Sequence, residues 1–441
     1  MIMDVEIISV ERIKPSIPTP NHLRDFKLSI LDHLIPAAYA PIVLFYPNQN
    51  DANHFEIHEK LKKSLSETLS RFFPLAGTIK DDFTIDCDDQ GACFTTAKVK
   101  NCLLSEFLES PDLKMIAKFI PCGLTSNGTN CVTNIQASEF ECGGISIGVC
   151  ISHRILDGAA LSTFLKSWAD FAREKKVVLP DFSAFSAFPA DGSWLKDASM
   201  EMWGSLFKKG SFVTKRFVFD GLAIASLKNM AKNRLSGINP TRVETVSGFI
   251  WKCAMEASEE RFGYRKPSLI THLVNLRKRA APDFPERSIG NLIWVASAKC
   301  TENLEFSELV DEVRKCVSKI DGEFVKKIRG DEGSETMHKC LKEIEEFGCK
   351  DVDHFGFTSW CNLGFYDVDF GFGKPVWVSS IDASGPFFMN LAILIDRRCG
   401  DGIEAWVTLD EQEMAILESN QEFQTCASLN QSPLKIGNGD A

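Results

Sequence analysis

The sequence predicts a mixed α/β protein, α and β elements interleaved in an α+β arrangement, built as two large domains. Three observations carry that expectation. The chain has 441 residues, about three times the ~150 of a typical single domain. Short apolar strands alternate with amphipathic helices along most of its length. A stretch over 181–211, rich in Pro, Gly, Ser and isolated aromatics, interrupts both periods and reads as a crossover between domains. The resulting division is an N-terminal domain over 1–185, a linker over 186–212, a C-terminal domain over 213–427 and a mobile tail over 428–441.

Each element has a local reason. Residues 5–10 and 40–46 are short apolar runs of strand length. Over 55–73, Leu61, Leu65, Leu69 and Phe72 fall on one helical stripe, and Phe73-Pro74-Leu75-Ala76-Gly77 ends the helix. Strands follow over 83–86, 93–99 and 132–138, then a Gly143-Gly144 turn, a buried-type strand over 145–151 and a helix over 158–174. Beyond the crossover, strands are expected over 213–219, 268–276, 292–298, 355–360, 375–379, 387–395 and 403–409. Helices are expected over 221–232, 241–258, 306–328, 336–347 and 410–423, the last opening with acidic residues that suit a helix N-terminus. No unit repeats with a period of about 20–50 residues.

Composition narrows the function classes. Apolar residues make up 44% and charged residues 25% of the chain, enough to bury a sizeable core and to exclude disorder throughout. Lys and Arg number 49 against 60 Asp and Glu, a net charge of −11. That balance argues against nucleic acid or an anionic membrane as the main partner. No apolar run reaches the ~18–20 residues of a membrane-spanning helix. The first fourteen residues have no basic start followed by an apolar stretch, so no secretory leader is expected. The fifteen cysteines are scattered, odd in number and free of CxxC or zinc-finger spacing, so free thiols in a reducing cytoplasm are expected and no metal site. Asn127-Gly128-Thr129 matches a glycosylation sequon, and without a leader reads as chance.

Two segments bear chemistry. In Ser152-His153-Arg154-Ile155-Leu156-Asp157-Gly158, a strand delivers His153 to its end. Asp157 sits where a carboxylate would cap the following helix, and Gly158 permits a tight turn. An imidazole can take and return a proton near neutral pH. The spacing alone also fits a core histidine beside a helix cap. In Tyr366-Asp367-Val368-Asp369-Phe370-Gly371-Phe372-Gly373-Lys374-Pro375, alternate glycines mark a constrained loop. Taken alone, it reads as a loop staple with Asp369 held by backbone or basic partners. It is not a phosphate loop, because the GxxxxGK[ST] spacing and the following helix are missing.

Together, His153…Asp157-Gly158 and Asp369-Phe370-Gly371-Phe372-Gly373, about 210 residues apart, resemble the HxxxDG and DFGWG motifs of the plant BAHD acyl-CoA-dependent acyltransferases. The resemblance covers nearly the whole chain. Ile13-Lys14-Pro15 with Pro18-Thr19-Pro20, Phe73-Pro74-Leu75-Ala76-Gly77, Asn275-Leu276-Arg277 and Gly290-Asn291 match further family segments in order. Phe140-Glu141-Cys142-Gly143-Gly144, Phe357-Thr358-Ser359-Trp360-Cys361 and Gly402-Ile403-Glu404-Ala405-Trp406 look like the alkaloid O-acetyltransferase branch. One departure is Phe372 in place of the family's Trp, which keeps the ring but loses the indole N–H.

The resemblance implies two chloramphenicol-acetyltransferase-like domains with a solvent channel between them. It implies an acyl-CoA, expected to be acetyl-CoA, as co-substrate, no bound cofactor, a small-molecule alcohol as acceptor, and a monomer. His153 would act as general base in a ternary complex, and Asp157 would turn away from substrate to pair with Arg277. Asp369, Gly371, Gly373, Arg277 and Gly158 would be structural or essential to activity. Asn291, backbone N–H groups and the loop around Phe372 are candidates for the oxyanion. Lys252, Lys278, Arg279 and Lys374 are candidates for the CoA phosphates. The expected acceptor is a hydroxyl of a plant specialised metabolite, an alkaloid first. An acylsugar acyltransferase using longer or branched acyl-CoA, and a silenced family member acting as a binding protein, are the alternatives.

Overall fold

The computed structural model describes residues 3–48, 54–121, 131–190, 203–232, 239–280, 283–348, 351–381 and 387–435. Residues 191–202 of the expected linker, the sequon at 127–129 and the end of the tail at 436–441 lie outside them. Two sheets dominate. The first runs Asp4–Ile13, Ala92–Lys100, Thr133–Phe140, Ile145–Ser152, Tyr39–Tyr46, Trp377–Ser379. The second runs Ile293–Cys300, Ser268–Asn275, Asp353–Ser359, Leu391–Asp396, Ile403–Asp410, Phe212–Phe219, Ser428–Leu429. Each sheet covers its own apolar core, which matches the expected class of two mixed domains.

The first sheet is organised around Ile145–Ser152, in which all eight residues are buried. Gly148 has to be glycine there, since a Cβ would come within 1.9 Å of the Phe119 carbonyl oxygen packed over the strand. Helices His54–Leu69 and Gly158–Ala172 lie together beside this core. Trp168 joins them, its indole N–H donating to the Leu61 carbonyl at 3.1 Å and to Ser64 Oγ at 3.0 Å. The long helix Arg242–Phe262 of the second domain begins at a Thr241–Glu244 capping box. It ends where Gly263 takes φ 77°, the left-handed geometry that releases a helix.

Some expected elements are divided. The helix expected over 306–328 is two, Phe306–Ser318 and Gly322–Arg329, because the Asp321 side chain caps Phe324 N–H and starts a new axis. The helix expected over 410–423 breaks in the same way into Glu411–Ser419 and Gln421–Cys426, with Asn420 as the cap. The run over 387–395 is two strands, Phe387–Phe388 and Leu391–Asp396, in different sheets.

The domains exchange segments. Ile30, Leu31, Leu34 and Ile35 belong to the second core, although they precede every strand of that sheet. Phe365, Val368, Phe370, Phe372 and Val376 belong to the first core, and Trp377–Ser379 forms its edge strand against Tyr39–Tyr46. The crossing also starts before 186, since Asp181 already bridges Ser288. Within the expected mobile tail, Ser428–Leu429 pairs with Phe212–Phe219, Asn430 Nδ2 donates to the Pro111 carbonyl at 2.7 Å and Ser432 Oγ to the Leu108 carbonyl at 2.9 Å. This segment is tied down because its polar groups bridge both domains.

A buried ion pair lies under that crossing. Arg216 and Glu404 are 1% and 3% exposed and meet at 2.6 Å (Nε to Oε2), while Trp377 Nε1 donates to the same oxygen at 3.1 Å. The guanidinium also donates to the Gln431 carbonyl at 2.6 Å. Removing one member of a buried pair strands the other charge, at about 3–5 kcal/mol. Arg216→Ala is therefore expected to lower the urea midpoint markedly, and Arg216→Met with Glu404→Leu to recover much of the loss. Urea titration of the three proteins checks this.

Candidate active site

His153 follows directly on the last residue of the fully buried strand Ile145–Ser152. Its backbone is held from two sides. The His153 N–H donates to the Ala38 carbonyl at 2.8 Å, and its carbonyl accepts from Asn291 Nδ2 at 2.7 Å. Asn291 is held in turn by Asp32, whose Oδ1 accepts from Asn291 N–H at 2.7 Å and Nδ2 at 2.9 Å. Asp32 is buried, and its carboxyl pKa is raised by desolvation, partly offset by hydrogen bonds from Ser29 and Asn291. Asn291 is fully buried with both amide hydrogens committed, so it positions the His153 turn and does not present a donor to an oxyanion. That corrects the expectation for Asn291. Asp32 was not singled out from the sequence, although Ser29 and Asp32 at capping-box spacing were a readable signal.

Asp157 turns away from the cavity described below. One carboxylate oxygen caps the helix Gly158–Ala172 by accepting from Ala160 N–H at 2.8 Å. The other accepts from Arg277 Nη1 at 2.7 Å, with the two side chains 2% and 1% exposed. The remaining guanidinium hydrogens reach Asn275 Oδ1 and the carbonyls of Ser288 and Gly290. Gly158 is the first helical residue and does not take a left-handed conformation. A Cβ there would stand 3.1 Å from Leu363 Cδ1, so close packing is the reason for the glycine.

His153 lines a cavity of about 320 Å³ between the two domains. The first domain contributes residues 35–36 and 38–41. The second contributes its sheet face through Thr271, Gly356, Thr358, Leu391, Trp406 and Thr408. No Asp, Glu, Lys or Arg lines it among the described residues, so its walls are apolar with scattered hydroxyls. Such a space suits a bulky, weakly polar molecule lying against a proton-accepting imidazole.

The loop Asp369–Gly373 lies elsewhere. Asp369 Oδ1 accepts from Gly371 N–H at 2.7 Å and Gly373 N–H at 3.1 Å, and Oδ2 pairs with Arg173 at 3.2 Å. The two glycines adopt φ 97° and 107°, which L side chains rarely take. Phe372 is buried against Tyr46 and Phe370, with ring centroids 5.1 and 5.9 Å away, and does not line the cavity. The expected oxyanion role near Phe372 therefore has no support in the geometry, and its ring is a packing element of the first core.

The basic candidates separate. Lys252 is engaged by Glu256 at 3.0 Å and by Glu422, and although burial depresses its pKa, the hydrogen bonds it donates to these carboxylates outweigh that and raise it. Its ammonium is thus committed to two carboxylates, which argues against the expected phosphate contact. Arg279 donates to the Asn275 carbonyl at 3.1 Å, and burial lowers its pKa. Lys278 and Lys374 are 76% and 63% exposed, paired with Glu286 and Asp367. Burial lowers the pKa of the half-buried Lys166, whose Nζ donates to the Leu363 carbonyl at 2.7 Å. Lys166 lies within the helix Gly158–Ala172, where no motif marks it.

Residues 3–424 match the model of the Transferase family. The chain belongs to this family, the BAHD acyltransferases. It is 42% identical over 465 residues to a limonoid 7-O-acetyltransferase of Citrus sinensis, covering 98% of this chain and 100% of that protein. It is 36% identical to stemmadenine O-acetyltransferase of Catharanthus roseus, covering 95% and 97%. The crystal structure of vinorine synthase superposes with a TM-score of 0.83 at 32% identity, covering 98% of this chain and 100% of that one. The transferase is thus an acyltransferase with the two-domain fold of that relative. Among the described residues no two cysteines form a disulfide, no group of three metal-ligating side chains occurs, and no helix is long and apolar enough to cross a membrane.

Two predictions follow from this geometry. Asp157→Ala removes a helix cap worth about 0.5–2 kcal/mol and leaves Arg277 buried without its charge partner. Turnover and melting temperature should fall together, and a double-mutant cycle with Arg277→Met should be strongly non-additive. The second concerns acid. Burial lowers the pKa of His33 to about 4 and that of His354 to about 3, against an ordinary 6.5. Between those values the unfolded chain binds more protons than the folded one. Stability should therefore fall as pH drops from about 6.5 towards 4. Asp32, with its raised pKa, acts in the opposite sense. Melting temperature against pH should show a shallower slope for His33→Phe than for the unaltered protein.

Proposed function

We propose that the transferase moves an acetyl group from acetyl-CoA to a hydroxyl of a bulky, largely apolar polycyclic metabolite. Relatives are named as a limonoid 7-O-acetyltransferase and a stemmadenine O-acetyltransferase, which supports an acetyl donor and a limonoid or alkaloid acceptor. The observation that carries the reading is a single imidazole, His153, set into an apolar cavity at the domain junction. His153 removes the acceptor proton as the oxygen attacks the thioester carbonyl, giving a tetrahedral oxyanion. Collapse expels the CoA thiolate, and the imidazolium returns the proton. Both substrates are bound at once and no covalent enzyme intermediate is needed.

Asp157 and Arg277 hold the turn that aims His153, and Asn291 with Asp32 holds it from the opposite side. Lys278 and Lys374, both exposed, supply positive charge for the CoA phosphates. The apolar lining favours a polycyclic alcohol over a sugar. The placement of Phe372 in the first core removes the main reason to suspect a silenced site. We further take the protein to act as a monomer in the cytoplasm.

The purified protein should form an ester, detected by mass spectrometry, when acetyl-CoA is combined with limonoid or alkaloid alcohols. His153→Ala, verified as folded by circular dichroism, should lose at least about a hundredfold in rate, the usual scale of general-base catalysis. An active, folded His153→Ala would remove the base from the mechanism.

A further inference from the structure

The mechanism leaves two buried histidines of the second domain, His272 and His354, unused. His354 is 3% exposed on the strand Asp353–Ser359, and its Nε2 lies 2.8 Å from Oγ1 of Thr271 on the neighbouring parallel strand Ser268–Asn275. Thr271, also 3% exposed, lines the same cavity as His153. His354 Nδ1 is buried and has no hydrogen-bond partner among the described residues.

These contacts select a tautomer. A proton on Nδ1 would bury an unpaired N–H donor, which costs about 1–3 kcal/mol. A proton on Nε2 is donated to Thr271 Oγ1 and leaves only a bare lone pair on Nδ1, the lesser penalty. Thr271 then cannot use its own hydrogen on His354. Its hydroxyl proton is left to be donated elsewhere, and the cavity is the space it lines.

We infer that the Thr271–His354 pair is a preset hydrogen-bond donor that recognises an oxygen of the acyl acceptor other than the hydroxyl being acylated. The acceptor class is thereby narrowed to oxygenated polycycles carrying a carbonyl, ester or ether oxygen at a distance from the reacting hydroxyl. The inference rests on the proposed acyl-transfer reading and adds a specificity determinant to it. Burial keeps His354 neutral at any working pH, with Lys208 adding to the effect, so the donor is constant. Among the scattered hydroxyls of that lining, a donor whose direction is fixed discriminates more sharply than added apolar contact.

Two measurements test it. The first needs no substrate. Long-range proton–nitrogen correlation spectra, with the His354 signals assigned by their loss in His354→Gln, should show Nε2 protonated and Nδ1 bare. The Nδ1–H tautomer would overturn the inference. The second uses a 7-hydroxylimonoid that carries further ring oxygens, with acetyl-CoA as donor. Thr271→Val should raise KM for the limonoid about tenfold, the scale of one neutral hydrogen bond. KM for acetyl-CoA and kcat should stay within about twofold, and Thr271→Ser should restore the affinity. A Thr271→Val protein with unchanged KM for the limonoid, or one that loses kcat alone, sinks the assignment. If the unaltered protein acetylates no limonoid or alkaloid alcohol, the acyl-transfer reading fails, and the tautomer still decides the state of the pair.

Discussion

The pair of Asp157 and Arg277 is the constraint on which the rest of the molecule depends. It crosses from the turn after the central strand of the first sheet to the turn after Ser268–Asn275 in the second. Both groups are excluded from water, so neither can lose its partner cheaply. The geometry leaves no slack. Asp157 spends one oxygen on the helix cap and the other on the guanidinium. Arg277 spends its hydrogens on Asp157, Asn275 and two carbonyls of the segment that leads to Asn291. The same residue that starts a helix therefore docks the domains and sets the path of the chain beside His153.

That docking is reinforced by exchange. The first domain lends Ile30–Ile35 to the second core, and the second returns Phe365–Trp377 to the first. Neither core is complete with its own half of the chain. The interface is thus continuous with two hydrophobic cores, which resists hinge opening better than a polar domain contact would. A rigid junction is what a cavity between domains needs if an imidazole from one side is to meet a substrate lying on the sheet of the other.

The loop Asp369–Gly373 belongs to this architecture and not to the cavity. Its aspartate is saturated by two backbone N–H groups and Arg173, and its rings pack on Tyr46 and Trp168. The segment that reads alone as a loop staple is, in the folded chain, the anchor that carries Trp377–Ser379 to the edge of the first sheet, and only the oxyanion role expected near Phe372 finds no place there. Phe fits that task as well as Trp would, since the task is packing.

Much of this architecture is legible in the sequence alone. Alternating and 3.6-residue apolar patterns locate most strands and helices, because burial on one face is written directly into spacing. His153, Asp157 and Arg277 were also legible, as residues of short motifs whose order along the chain is distinctive. Helix breaks at Asp321 and Asn420 were missed, because a cap inside an amphipathic run changes the axis without changing the apolar period. Segment exchange, the commitment of Asn291 to Asp32, the pairing of Lys252 with two glutamates and the Thr271–His354 contact all join residues far apart in the chain. Local pattern says which face of an element is apolar and which residue types can move a proton. It does not say which buried polar group will find which partner, since that depends on distances set only when two sheets pack.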